Sequence, residues 1–512
     1  MPASSLSPPV PAVSETSAWL GFAAMCVGMF MAILDVQVVA TSLPTIKSAL
    51  TIAPDQMSWV QTAYLIAEVI AIPLAGVLTR AQSMRWLFVS AVSIFILASL
   101  GCALSGSFES LIAWRVLQGF SGGTLIPAVF SAIFLLFPVQ RHAIATTLAG
   151  VIAVLAPTVG PIVGGWITQT YSWHWLFLIN IAPGLLSAAI ATAFLPKIAS
   201  QIRQMKALDF VSLLLMAIGL TALIIALKEA PHRGWTSGLV IGLLSLSLAS
   251  TAGLVRRTLG AIVPVVSLAH FGNRSFTIGC ILSFVLGLGL FGSVYLMPVF
   301  LAFVRGHNAL EIGTIMLVTG VIQLMTAPIA VALEQRVEAR ILTAIGFGLF
   351  AIGLGLSAFQ TPQSDYDALF WPQVIRGLAI MFCLLPPTRM ALGLIDKAQV
   401  ADASGLFNLM RNLGGAIGLA LIDTVIYSRS GVHSSELVAK LQQGDLETVR
   451  FLGLPAQALT AAPSAAAGLI QPFVEKGALT LAINEAWGMI ALLTLAALLC
   501  VPFARRSAAN TN

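Results

Sequence analysis

Fourteen stretches of this chain are apolar over a length that crosses a hydrocarbon layer, and polar residues collect between them. They run 18–42, 56–78, 84–105, 109–136, 142–168, 173–195, 208–228, 236–254, 274–303, 309–333, 340–359, 368–394, 402–428 and 477–504. Each meets the ~20 residues that a helix needs to span a bilayer. Without water to satisfy backbone N–H and C=O groups, a helix is the simplest solution for such a segment. The pattern therefore predicts an all-α, multi-pass membrane protein with fourteen spans.

The halves of the chain resemble each other. Segment four carries Arg115-Val-Leu-Gln118-Gly119 with Pro127 beyond it, and segment twelve carries Gln373-Val-Ile-Arg376-Gly377 with Pro386 beyond it. Segment five holds Gly160 and Gly164, and segment thirteen holds Gly414 and Gly418. Segments one and nine both reach a proline after an apolar pair, Leu43-Pro44 and Met297-Pro298. Parallel repeats of this kind build transporters whose site lies between the halves near the midplane. The predicted organisation is a short tail (1–17), a six-helix bundle (18–195), two inserted helices with connectors (196–270), a second six-helix bundle (271–504) carrying a long outer loop (429–476), and a tail (505–512).

Composition and charge add orientation. Of 512 residues, 58% are hydrophobic and 9% charged, against about 25% charged in an ordinary soluble domain. With the N-terminus inside, fourteen basic residues, from Arg80 and Arg85 to Arg505 and Arg506, fall in cytoplasmic segments. The short outer loops hold four: Lys47, Lys228, Arg233 and Arg305. That bias predicts cytoplasmic termini and an outward-facing segment 429–476. It also accounts for the net charge of +6 without a nucleic-acid partner. Residues 1–18 lack Lys and Arg, so they do not predict a cleavable signal. The five cysteines, Cys26, Cys102, Cys280, Cys383 and Cys500, stand singly in apolar runs and read as packing residues, not as disulfides or a metal site.

Within the spans, Asp35 is the most informative residue. A carboxylate at membrane depth costs roughly 3 kcal/mol on insertion scales and usually serves a function. Arg115 lies near the start of segment four, at similar depth by helical rise. Asp35 reads as a proton carrier tuned by Arg115, or as half of a static pair that fixes packing. Glu68 stands near the middle of segment two with no charge within a helical turn; it reads as a second proton site, a partner for a cationic substrate, or a neutral hydrogen-bonding group. Gln118, Arg376, Asn408 and Arg411 are further polar groups along the spans and candidates to line the substrate pathway, with Glu485 a candidate partner for Arg411. Arg389 and Asp423 lie near segment ends, where they can snorkel. The run Pro157-Thr-Val-Gly160-Pro161-Ile-Val-Gly164-Gly165 combines helix-weakening prolines with glycines that allow close approach, as a hinge or a seal requires. No GxxxxGK[ST] run is present, and nothing calls for a cofactor or a metal. The energy source must then be an ion gradient.

These residues resemble a known family. Leu34-Asp35 followed by Ser42-Leu43-Pro44-Thr45-Ile46 is similar to the first-helix motif of fourteen-helix drug/proton antiporters of the major facilitator superfamily. Leu111…Arg115-Val-Leu-Gln118-Gly119 resembles the fourth-helix motif, whose arginine is implicated in proton coupling. Gly160-Pro161-x-x-Gly164-Gly165 resembles the helix-five motif of exporters, and Trp173-x-Trp175-x-Phe177-x-Ile179-Asn180 continues it. The likeness spans nearly the whole chain and is nearest the EmrB/QacA-like multidrug exporters. It implies two six-helix bundles plus two inserted helices, and proton-coupled efflux of hydrophobic or amphipathic toxic compounds by alternating access. It also implies, in a double-membraned cell, a periplasmic adaptor and an outer-membrane channel as partners. A dedicated exporter of a metabolite, siderophore or lipid is the alternative; an importer and a non-transporting scaffold or sensor fit the motifs less well. The chain departs from the family in places. The helix 2–3 loop, Gly76-Val-Leu78-Thr79-Arg80-Ala-Gln-Ser83-Met-Arg85, lacks the usual aspartate and has serine where the second glycine is expected. Ala156 replaces a glycine of the helix-five motif. The position in segment nine that mirrors Asp35 falls near Gly289, so coupling should sit in one half only.

Overall fold

The computed structural model describes residues 14–53, 56–196, 209–261, 268–393, 395, 400–454 and 463–504. Residues 1–13 and 505–512 of the tails, the connector 197–208 and part of segment 429–476 lie outside the described residues. The elements are α1 (Glu15–Ala49), α2 (Trp59–Gln82), α3 (Met84–Ala103), α4 (Phe108–Leu136), α5 (Val139–Thr170), α6 (Trp175–Leu178), α7 (Ile181–Phe194), α8 (Phe210–Arg233), α9 (Gly238–Gly260), α10 (Arg274–Phe300), α11 (Ala309–Glu334), α12 (Ala339–Leu356), α13 (Tyr366–Leu392), α14 (Val400–Gln442), α15 (Leu446–Leu452) and α16 (Pro463–Ala497). Among the described residues, thirteen helical stretches are long and apolar enough to cross a membrane, with α6 and α7 together making one of them. The 24-residue α2 makes the fourteenth span.

Helix starts follow local chemistry. Ser107, Asp209, Ser237 and Asn308 each accept a hydrogen bond from a first-turn N–H of α4, α8, α9 and α11. Asn308 and Glu311 complete a reciprocal capping box. Asp209 also binds Arg257 at the end of α9 (2.9 Å), which ties the inserted hairpin at its open end. The Arg257 hydrogen bond holds the Asp209 carboxyl well below its usual range, at about 2.

The first bundle is α1–α7 and the second α10–α16, with α8–α9 between them in the chain. In space, the inserted hairpin lies along a seam between the bundles: α8 packs on α14 and α2 as well as on α9. One apolar cluster there draws Val69 and Ile72 from α2, Leu213 and Met216 from α8, Cys280 from α10 and Leu406 and Phe407 from α14. The bundles also meet where α5 packs on α11. The end of the molecule where α1 begins and α16 ends is called proximal here, and the opposite end distal.

Two expectations change. Segment 429–476 is not a loop at its start: α14 runs on to Gln442, α15 follows, and Leu437, Leu452, Val474 and Ala478 bury a small core of their own. Its Ala- and Gln-rich composition suits helix as well as loop, which is why apolarity alone missed it. Lys228 is not in an outer loop: it lies inside α8 with 6% of its surface exposed.

The turn from α2 to α3 is one residue long, and Ser83 makes it at φ +72°, ψ 145°. This region belongs to glycine, and holding another residue there costs of order 1–3 kcal/mol. The buried Ser83 hydroxyl has no hydrogen-bond partner either. Ser83→Gly is therefore expected to raise the melting temperature in detergent; an unchanged or lower value would show that the turn carries no strain.

Candidate functional site

Asp35 is fully buried in α1, and the structure surrounds it with donors. Its Oδ2 accepts from Arg115 Nη1 of α4. Its Oδ1 accepts from Gln118 Nε2 and Asn180 Nδ2, each at 2.9 Å. Arg115 is held in turn by Val60 O (3.0 Å) and Gln118 Oε1 (2.7 Å), and lies 4.5 Å from the centre of the Tyr64 ring. Ser99 of α3 accepts from Gln118 at 2.9 Å. The i, i+3 spacing of Arg115 and Gln118 places both on one face of α4. Asn180 reaches the site because the sixth span breaks between α6 and α7, at Asn180 itself.

The predicted Asp35–Arg115 pair forms. The sequence does not place Asn180 or Ser99 beside Asp35: Asn180 closes the Trp173–Asn180 run, but no spacing links it to residue 35. Gln118 was expected along the substrate pathway; it is fully buried and bound to Asp35.

Glu68 lies at the seam. Asn412 and Arg411 of α14 lie near enough to act on its carboxylate. Arg411 Nη2 donates to Asn408 Oδ1 at 2.9 Å. Glu68, isolated in sequence, thus gains polar neighbours from the opposite bundle. The expected Arg411–Glu485 pair does not form. Glu485 instead binds Arg429 (2.6 and 2.9 Å) and His433 (3.0 Å), because the continuation of α14 carries those residues alongside α16.

Arg376, 3% exposed, lies inside the second bundle with its guanidinium 4.8 Å from the Trp487 ring centre, and its Nε has no partner. It does not line an open pathway. A Cβ added at Gly289 would meet Phe350 and Leu354, so aromatic and aliphatic packing fills the position that mirrors Asp35. Asp423 is no snorkelling end residue; it is 9% exposed and paired with Lys228 at 2.6 Å.

The glycine–proline run of α5 faces two ways. A Cβ at Gly160 would lie 2.4 Å from Gln37 Cβ, and one at Gly164 2.5 Å from Val38 O, both on α1. One at Gly165 would lie 2.3 Å from Ala309 O on α11, and one at Gly313 of α11 2.3 Å from Pro161 O. Thr158 Oγ1 donates to Gly320 O across the same boundary (3.1 Å). Near the distal end, then, the bundles touch backbone to backbone.

Two helical bundles joined through such a seam, with an ionisable cluster buried in one of them, define a secondary membrane transporter. The chain belongs to the Major Facilitator Superfamily, whose profile matches residues 25–419. Within that family it is of the EmrB type. It is 36% identical over 483 residues to the colistin resistance protein EmrB of Acinetobacter baumannii, covering 93% of this chain and 94% of that one. It is 30% identical over 490 residues to the multidrug export protein EmrB of Escherichia coli, covering 94% of each. A bacterial homologue of the lysosomal transporter Spinster, solved inward-facing and unoccupied, shares the fold at a TM-score of 0.61 and 15% identity, over 96% of this chain and 98% of that one.

Proposed function

We propose that the protein exports hydrophobic or amphipathic toxic compounds across a bacterial inner membrane, in exchange for protons. The observation that carries the coupling is the buried Asp35 carboxylate, whose donors come from α4 and from the α6–α7 break. While these stay in place the carboxylate is paired. If α1 shifts against α4, Asp35 loses its counter-charge, and a buried carboxylate without one takes up a proton instead. Coupling between that shift and the exchange of access gives antiport. Relatives named for colistin resistance and multidrug export support the substrate class. The positive-inside bias supports a distal end that faces outward. That orientation puts the α14 extension and α15 where a periplasmic adaptor would dock.

Glu68, with Arg411, Asn408 and Asn412, forms the substrate-facing part of the proposal. Arg411 supplies a positive charge near Glu68, with which a cationic substrate would compete. Accordingly, Glu68→Gln is expected to weaken export of monocations about tenfold, as loss of a charged hydrogen bond implies, and to leave neutral substrates unchanged. Equal losses for both would assign Glu68 to the proton, and no loss for either would remove it from both roles.

The whole reading is tested by accumulation of unrelated dyes and antibiotics in cells with and without the protein. The protein should lower accumulation of several, and an uncoupler should abolish the difference. Export of a single natural compound, with no competition from the others, would favour the dedicated exporter.

A further inference from the structure

Lys228, Asp423 and Ser58 meet near the distal end, in a cluster outside both sites described above. Lys228 Nζ donates to Asp423 Oδ2 at 2.6 Å and to Ser58 Oγ, and Ser58 Oγ in turn donates to Asp423 Oδ2. Tyr295 OH donates to Asp423 Oδ1 at 2.9 Å, and the Trp59 ring lies 5.1 Å from the ammonium. The group joins four elements: the start of α2 in the first bundle, the inserted α8, and α10 and α14 in the second. Ser58 is fully buried, and Lys228 and Asp423 are 6% and 9% exposed.

Ser58 occupies the N-cap position of α2, where serine normally accepts a first-turn N–H. Its hydroxyl makes no such bond; it is turned to the partners from α8 and α14. The backbone of Ser58 is helical (φ −64°, ψ −19°) and the carbonyls of Met57 and Ser58 take the Val60 and Gln61 N–H groups, which leaves the hydroxyl to the contact with the opposite bundle.

We propose that Ser58, Lys228 and Asp423 form a latch that holds the distal gate shut, with the inserted α8–α9 hairpin as its third jaw. Opening at the distal end separates α2 from α14, so Ser58 must leave Asp423. Thr424 Oγ1 donates to Leu227 O at 3.0 Å, which fastens α8 to α14. The Lys228–Asp423 pair therefore travels with the second bundle and presents one polar head to Ser58. In the closed state the pair is dry and shared among three residues; in the open state water takes the place of Ser58. The hairpin's role is to place a cation at the gate that neither six-helix bundle supplies. The latch rests on the alternating-access reading, but not on the identity of substrate or ion.

The test uses spin labels at the exposed residues Ser48 of α1 and Thr314 of α11, one in each bundle near the distal end, in protein with its native cysteines replaced. Distances by double electron–electron resonance report gate opening without substrate or gradient, so they stand or fall apart from transport. Ser58→Ala should raise the open-to-closed ratio about tenfold, the factor expected for one hydrogen bond to a charged group. Lys228→Met and Asp423→Asn should each open the gate and lower the melting temperature, since each leaves a lone buried charge. The double variant Lys228→Met/Asp423→Asn removes both charges; it should recover the melting temperature yet keep the open population. Unchanged distances in Ser58→Ala and in the double variant overturn the latch, and a fall in melting temperature alone assigns the pair to stability.

Discussion

Asp35→Asn is expected to abolish substrate accumulation driven by an imposed pH gradient in proteoliposomes. The side chain keeps its shape and two of its acceptor contacts but cannot carry a proton. One proton crossing 100 mV contributes ~2.3 kcal/mol, a concentration ratio of roughly fifty. The wild-type protein should sustain a ratio of that order, and the variant a ratio near unity. Substrate binding, followed by fluorescence in detergent, should change little, because Asp35 and its donors are buried within the first bundle. Gradient-driven transport at the wild-type level in Asp35→Asn would falsify the coupling role. Asp35→Glu separates loss of the proton from loss of packing, since it restores a carboxyl to the same surroundings. Recovery of part of the accumulation is the expected result.

Gly165→Ala should be nearly as severe, by a different route. The added Cβ would come 2.3 Å from Ala309 O and 2.8 Å from Leu310 Cα. Both obstacles are backbone, so no side-chain rotation relieves them, and α5 must part from α11. Overpacking of this kind costs typically 1–3 kcal/mol. Applied at the contact between bundles, that cost falls on the distally closed state and shifts the conformational balance by about five- to a hundred-and-fiftyfold. Transport should fall by a similar factor, and labels at Ser48 and Thr314 should report a wider distal end. Gly150, in the same helix, is the control: its added Cβ meets nothing within 4 Å. Gly150→Ala should transport normally, because only helix propensity changes there. A Gly165→Ala protein with wild-type transport would remove the seal.

Much of this architecture is legible in residue order. The spans are set by the free energy of placing about twenty apolar residues in hydrocarbon, a local property that a window along the chain captures. Asp35, Arg115 and the Gly160–Gly165 run stand out for the same reason: each breaks a strong local pattern at a cost. The charge asymmetry between connectors likewise needs no tertiary information.

What failed was pairing. Glu485 looked available to Arg411 because both are polar in adjacent late segments; the unbroken course of α14 gives Glu485 to Arg429 and His433 instead. Lys228 reads as an outer-loop residue and Asp423 as a segment-end residue that can snorkel, and they meet because α8 lies along the seam between bundles, 195 residues apart in sequence. Asn180 had no periodicity to advertise it; a two-residue break between α6 and α7 aims it at Asp35.

The sequence by itself determined that the chain crosses a membrane fourteen times, as a duplicated transporter with one costly acid in its first helix. Hydrophobic transfer and helix geometry are local, and they act on each segment alone. The tertiary structure decided who neutralises whom: Asp35 within one bundle, Glu68 across the seam, and Asp423 through the inserted hairpin. A buried charge is stable only beside a particular donor a few ångströms away, and helix packing, not position in the chain, supplies that neighbour.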